Sequence, residues 1–300
     1  AQLRNYMQEI PSLFVYNAFC VMSDMAISKA GTITAGEDRY MEWKTTDGFR
    51  ESKRAITFDV LFEGMFEKAR FIEILHGFVC YSKDEKQSAK ILAGYHQFFA
   101  VRKAVDSVVE ATETDGKGGV FWHTQGSGKS YSMVMFARKV KRKIPGNFSF
   151  LIVTDREDLD TQIHKNFVRT EVIGANEECQ PKNGKQLREF LQTNKSFIFT
   201  LIHKFRYEKG KQYPVLSTRD DIIVLVDEAH RTQYKDLAEN MRTALPNANY
   251  IAFTGTPLLG AKRLTNQWFG NYVSEYNFAQ SVAEGSTVPL YYSRRVPSVG

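Results

Sequence analysis

The run His123-Thr124-Gln125-Gly126-Ser127-Gly128-Lys129-Ser130 holds the residues of this 300-residue chain best suited to chemistry. Gly126 and Gly128 carry no bulky side chain, so backbone N–H groups can approach a triphosphate. Lys129 can reach its β and γ phosphates, and the Ser130 hydroxyl can ligate Mg²⁺. Thr124, Gln125 and Ser127 complete the binding loop. One position departs from the general pattern G-x-x-x-x-G-K-[ST]: His123 stands where a glycine is usual. A second cluster follows about one hundred residues later, where the apolar run 222–226 ends in Asp227-Glu228-Ala229-His230. A Mg²⁺-dependent ATPase needs this combination. Asp227 would hold Mg²⁺ opposite Ser130, Glu228 would orient and polarise the attacking water, and His230 would link the ATP site to neighbouring motifs. A third cluster, Phe253-Thr254-Gly255-Thr256-Pro257, again closes an apolar run. It would place the Thr254 and Thr256 hydroxyls beside the γ-phosphate and couple ATP to a bound strand.

These clusters must be brought to one place, and the pattern between them says how. Apolar runs at 120–122, 148–153, 197–200, 222–226 and 250–253 have the length and composition of strands buried on both faces of a parallel sheet. Helical segments separate them, including one at 131–143 directly after the loop. The expected fold is therefore α/β with a doubly wound, mainly parallel sheet, its loops gathered at the carboxyl ends of the strands. Upstream, a helix is expected over 94–112 and helical spacing over 59–79 (Phe62, Met65, Phe66, Phe71, Leu75), with strand-like stretches at 13–22 and 31–34 and a polar linker at 82–88. A further strand-like stretch lies at 288–292.

Composition excludes several classes. With 43% hydrophobic and 25% charged residues the chain is neither disordered nor fibrous. It has no apolar run long enough for a membrane helix and no signal segment. The three cysteines, Cys20, Cys80 and Cys179, form neither a disulfide framework nor a zinc motif and suit a reducing cytoplasm. The net charge of +6 lies wholly after residue 60: residues 1–60 carry 7 basic and 8 acidic side chains, against 33 and 26 in the remainder. That excess allows a polyanionic partner without identifying one. The basic run 138–143 ends the helix after the loop, and is read first as a solvated end that complements the helix dipole. Length alone suggests two domains. Neither end of the chain reads as a natural terminus.

Taken in order, Gly-Ser-Gly-Lys-Ser, Asp-Glu-Ala-His and Thr-Gly-Thr-Pro resemble the first RecA-like domain of superfamily 2 helicases and translocases. The run 122–130, with its histidine at the first loop position, is similar to the restriction (R) subunit of type I restriction–modification enzymes. So are 153–162, 226–234, 95–101 and the stretch from 269 onward, and the resemblance covers nearly the whole chain. It implies a RecA-like P-loop domain over 76–300, preceded over 1–75 by the C-terminal part of a PD-(D/E)xK-type nuclease domain. It also implies ATP and Mg²⁺ as cofactors, double-stranded DNA as the track, and methyltransferase (M) and specificity (S) subunits as partners, with no membrane. Gln97 matches a glutamine that reads adenine. Asp155, Arg156 and Gln162, and further on Thr200 and Lys204, match segments near the DNA path, where basic side chains would meet phosphates irrespective of sequence. Gln2 and Tyr6 match the Q-x-x-x-Y segment that follows the nuclease carboxylates, which would lie before Ala1. A second RecA-like domain with an arginine finger would follow Gly300. The alternatives are another superfamily 2 DNA or RNA helicase, and a nucleotide-binding scaffold with a vestigial loop.

Overall fold

The computed structural model of the chain describes residues 2–84, 88–208, 210–227, 235–256, 264–285 and 287. It begins with helix α1 (Gln2–Glu9), a 3₁₀ turn at Pro11–Phe14, and a small antiparallel sheet of β1 (Cys20–Ser23), β2 (Ser28–Gly31) and β3 (Met41–Glu42). Helices α2 (Thr57–Met65) and α3 (Lys68–Gly77) lead into the hairpin β4 (Val79–Lys83) and β5 (Ser88–Leu92). The main layer follows: α4 (Tyr95–Glu113), β6 (Lys117–His123), α5 (Lys129–Lys143), β7 (Ser149–Thr154), α6 (Glu157–Arg169), α7 (Gly184–Leu191), β8 (Phe197–Leu201), β9 (Ile222–Asp227), α8 (Lys235–Ala244), β10 (Asn249–Thr254), α9 (Leu264–Phe269), β11 (Tyr272–Tyr276) and α10 (Phe278–Ala283).

Six strands form one parallel sheet in the order β11-β6-β10-β9-β7-β8. Every residue of β7, β8, β9 and β10 is buried, as helices on both faces require. Alternate side chains feed two cores. Phe121, Ile152, Phe199, Leu225 and Phe253 meet residues of α4, α5 and α6 on one face. Val120, Val153, Val224 and Ala252 meet α7 and α8 on the other. The doubly wound α/β architecture is borne out.

The upstream region differs from the sequence reading in three places. Residues 59–79 form two helices rather than one, because the chain leaves the helix at Phe66 and Glu67 starts a new one, its carboxylate accepting the Ala69 and Arg70 N–H groups at 3.1 and 2.9 Å. Of the segment 82–88, Ser82 and Lys83 close β4 and Ser88 opens β5, paired from Val79↔Leu92 to Lys83↔Ser88, and 85–87 lie outside the described residues. This ladder is half exposed, which lets polar residues occupy a strand. Of the stretch 13–22, the first part is a 3₁₀ turn and only Cys20 onward is strand, while the 31–34 stretch meets the sheet only at its first residue, Gly31. The stretch 288–292 lies outside the described residues.

Helix α4 is covered on both sides. Phe98, Phe99, Ala100 and Val101 are all buried in succession. One side faces the sheet, and the other receives the Trp43 ring, which tilts against Phe98 and Phe99 at 5.6 and 5.9 Å. Trp43, Leu61, Met65, Ile74 and Phe78 thus share one core with Phe98 and Phe136, and the packing is continuous across residue 75. The basic run at the end of α5 helps to tie the two regions together. Lys139 pairs with Glu73, Arg142 Nη1 donates to the His76 carbonyl at 2.5 Å, Arg138 Nη1 lies 3.2 Å from Cys80 Sγ, and Lys143 lies 3.5 Å from Asp106. Arg138 and Lys139 tie α5 to β4 and α3, while Lys141, Arg142 and Lys143 are exposed, so the solvated reading holds for the end of the run and not for its start. All three cysteines are free and buried. No helix among the described residues is long and apolar enough to cross a membrane.

Candidate nucleotide-binding site

The strand order explains how motifs one hundred residues apart meet. β6, β10 and β9 are neighbours, and their registers align Phe121 with Phe253 and Phe253 with Asp227. The loop after β6, Thr254 at the end of β10 and Asp227 at the end of β9 therefore emerge side by side at the carboxyl edge, where parallel α/β sheets hold ligands. Two contacts seal the junction. Trp122 Nε1 donates to the Gly255 carbonyl at 3.2 Å. A Cβ at Gly255 would stand 3.3 Å from the Gln125 nitrogen and 3.4 Å from Lys129 Nζ, so a glycine is what lets the third motif press against the loop.

Within the loop, Gly126 and Gly128 have φ of +87° and +83°, in the left-handed region that glycine enters without strain. Gly128 starts α5, and no side chain caps that end. The first N–H groups of the 15-residue helix therefore point outward, as an anion site requires. Ser127 Oγ and the Ser127 N–H both bond the Thr124 carbonyl, at 2.7 and 3.3 Å, which curls the loop. Lys129 Nζ lies 3.1 and 3.4 Å from the His123 and Thr124 carbonyls. Ser130 lies in the first turn of α5, and Asp227 is 6% exposed. A hydroxyl and one carboxylate are hard oxygen donors of the kind Mg²⁺ takes when substrate phosphates complete its shell. Among the described residues no three His, Cys, Asp or Glu side chains converge on a point. Thr254 is wholly buried, and its Oγ1 accepts the Thr256 N–H at 3.2 Å, while Thr256 is exposed. Glu228 and His230 lie outside the described residues.

Gln97 is buried, not an ordinary exposed helix residue. Its Oε1 accepts the Gly94 N–H at 3.1 Å, and its Nε2 donates to the Gly128 carbonyl at 3.1 Å and to Ser132 Oγ at 3.2 Å. One amide proton thus serves the end of the loop and the other the first turn of α5. A Cβ at Gly128 would meet Nε2 at 2.8 Å. On the other side of His96 and Tyr276 lies a small cleft lined by Arg50, Glu51, Tyr95, His96, Tyr276 and Gln280 among others.

Sequence reasoning missed the side chains that back the loop. His96 and His123 are buried with ring centroids 5.5 Å apart. His96 Nε2 lies 3.4 Å from the Ser127 carbonyl, and His123 Nε2 lies 2.9 Å from Ser274 Oγ in β11. His123 therefore fills the space between β6 and β11, which is why a ring is tolerated where other loops carry glycine. β11 escaped notice because an edge strand with Ser274 and Glu275 has no continuous apolar run. Burial lowers the His96 pKa from 6.5 to about 4, against the opposing pull of Glu284. Burial also holds His123 well below 6.5, helped by the nearby His96 and Lys129 charges. A histidine lowered on folding takes its proton first in the unfolded chain. Its stabilisation is therefore complete above pH 6.5 and is lost as pH falls toward 4. At pH 5 the loss for His96 is about 2 kcal/mol. The stability difference between the parent and His96→Phe should thus shift by about that amount in favour of the variant between pH 7.5 and 5 in urea titrations. A difference that is independent of pH would refute the neutral assignment.

The other expected sites vary. Gln2 Nε2 donates to Tyr6 Oη at 2.7 Å on one exposed face of α1. Arg156 makes a bidentate pair with Asp158, Nε to Oδ1 at 3.0 Å and Nη2 to Oδ2 at 2.5 Å, both exposed just beyond β7, and Gln162 is exposed on α6. Asp155 sits between them and β7. Lys204 Nζ donates to the Pro181 carbonyl at 2.5 Å. Thr200 is 0% exposed in the interior of β8, so it cannot touch a strand in this state, and its assignment as a nucleic-acid contact is corrected. Both faces of β8 are covered, so any side chain of this strand is buried.

Fold and site together define a parallel α/β domain with a phosphate loop at the carboxyl end of a central strand. The SWI2/SNF2 ATPase family model matches residues 96–300, and the chain belongs to that family. The type I restriction enzyme HindI endonuclease subunit of Haemophilus influenzae is 36% identical over 97% of this chain and 30% of its own length. A putative type I restriction enzyme endonuclease subunit, MjaIXP, of Methanocaldococcus jannaschii is 34% identical over 97% of this chain and 29% of its own length. The resemblance to restriction subunits drawn from the motifs is borne out, and the chain spans less than a third of those relatives. Among solved structures, the UvsW helicase from bacteriophage T4 aligns with a TM-score of 0.46 at 15% identity, covering 69% of this chain and 67% of that one.

Proposed function

We propose that the chain is the motor-bearing part of a type I restriction endonuclease subunit, which binds ATP with Mg²⁺ and uses its hydrolysis to move along duplex DNA before cleavage. The observation that carries this reading is the meeting of the loop, Asp227 and Thr254 at adjoining strand ends. In the reaction, the N–H groups of the loop and of the first turn of α5 bind the phosphates, and Lys129 leaves its carbonyl partners to meet the β and γ oxygens. Ser130 and Asp227 would hold Mg²⁺, which neutralises charge building between the phosphates. Glu228 orients the attacking water, and His230 and the Thr254–Thr256 turn relay the phosphate state to the DNA path. Gln97 reads adenine by releasing the Gly128 carbonyl and the Ser132 hydroxyl that its Nε2 engages. Asp155, Arg156, Gln162 and Lys204 line the DNA side. Residues 76–300 form the first motor domain, and 1–75, with Gln2 and Tyr6, the end of a nuclease domain. Methyltransferase and specificity subunits complete the complex in the cytoplasm.

Triplex displacement tests this reading. The full-length subunit with its partner subunits should strip a third strand from linear duplex DNA only when ATP is hydrolysed. ATPase activity stimulated by single-stranded RNA, with no triplex displacement, would instead favour another superfamily 2 helicase.

A further inference from the structure

Side chains that belong to none of the loop motifs form a chain of contacts that ends on a loop carbonyl. Glu284, just after α10, has a side chain only 5% exposed. Its carboxylate accepts the Tyr95 hydroxyl at 2.6 Å and the Tyr276 hydroxyl at 2.6 Å, with Lys44 Nζ 3.4 Å away. Tyr276 is thereby held at its phenolic end. Its ring lies parallel to that of His96, 4.1 Å between centroids and 6° between planes. His96 in turn places Nε2 3.4 Å from the Ser127 carbonyl. A carbonyl only accepts, so this nitrogen carries the proton and donates. Tyr276 also reaches the loop directly, since its own carbonyl accepts the Thr124 N–H at 3.0 Å. One residue of β11 thus fixes the start of the loop through its backbone and the middle of it through the stacked histidine.

We propose that His96 and Tyr276 are positioning residues for the phosphate loop: Glu284 anchors Tyr276, Tyr276 sets the plane of His96, and His96 holds the Ser127 peptide in its phosphate-binding orientation. The pair touches no reacting atom. It holds the loop equally in the bound and transition states, so its effect falls on nucleotide affinity rather than on the chemical step. ATP affinity would thus be set in part from an edge strand about 150 residues away in sequence. The proposal rests on the reading of residues 123–130 as the ATP site.

The test uses the full-length subunit and steady-state ATP hydrolysis on duplex DNA. His96→Phe keeps the ring and its stack but removes the donor. The KM for ATP should rise roughly threefold to tenfold with kcat changed by less than about twofold. Tyr276→Phe keeps the stack but frees the ring from Glu284, and should raise KM in the same direction by less. Because both act through one contact, the double variant should match His96→Phe alone instead of multiplying the two effects. A KM within about twofold of the parent in both single variants, or a lowered melting temperature with KM unchanged, overturns the proposal. So do multiplicative effects in the double variant. If His96→Phe does not fold, the KM of Tyr276→Phe decides. Lys129→Ala separates the two levels. If it binds Mg-ATP as the parent does, the ATP-site reading has failed and the positioning role falls with it. If it does not bind while His96→Phe is silent, only the positioning role is lost.

Discussion

Lys129→Ala should lower DNA-stimulated ATP turnover of the full-length subunit by on the order of 100- to 1,000-fold. The lysine is the one loop side chain that can place a full positive charge on the outer phosphates, where negative charge redistributes in the transition state. Its position supports that role. Nζ sits at the mouth of the loop against the His123 and Thr124 carbonyls and beside Gly255, where three motifs converge. Those carbonyls are weak neutral acceptors and a triphosphate would displace them, because charge-assisted bonds are roughly twice as strong. The fold should survive, since Lys129 lies at a helix start and not in either core. Circular dichroism and the urea midpoint should match the parent while turnover collapses. Turnover within about tenfold of the parent would move the phosphate site elsewhere.

Phe136→Ala should destabilise the 300-residue chain by about 3–5 kcal/mol. Phe136 lies in the middle of α5 with no exposed surface, and its ring packs edge-on to Phe150 of β7 and to Phe253 of β10 at 6.5 and 6.4 Å. Removing it opens a cavity under the helix whose first turn carries the loop, at a cost comparable to a large part of a domain's usual stability of about 5–15 kcal/mol. The urea midpoint should fall with an unchanged slope. Nucleotide affinity should weaken in step, because α5 no longer seats firmly on the sheet. A loss below about 1 kcal/mol would mean that α5 does not cover that face.

The legible parts of the sequence were those whose physics is local. A phosphate loop is a contiguous run, and strands β7 to β10 are covered on both faces, so each announces itself without its neighbours. The less legible parts depend on partners distant in sequence. β4, β5 and β11 are half-exposed or edge strands, and their polar residues look like loop until the pairing is known. The basic run at 138–143 has the composition of a DNA patch or a solvated helix end, yet Glu73, Asp106 and the His76 carbonyl, all earlier in the chain, engage it. His96 lies within the 95–101 stretch that resembles the restriction subunits, but its own role shows only when β11 brings Tyr276 against it. Thr200 was misplaced for a related reason. Its motif position suggests the DNA path, while cover on both faces of β8 buries it.

Calorimetric titration of Mg-ATP into the full-length subunit and its Lys129→Ala variant tests the central claim most directly. A single saturable site is expected in the parent and no measurable heat in the variant. Equal binding by the two proteins, or none by the parent, would contradict it.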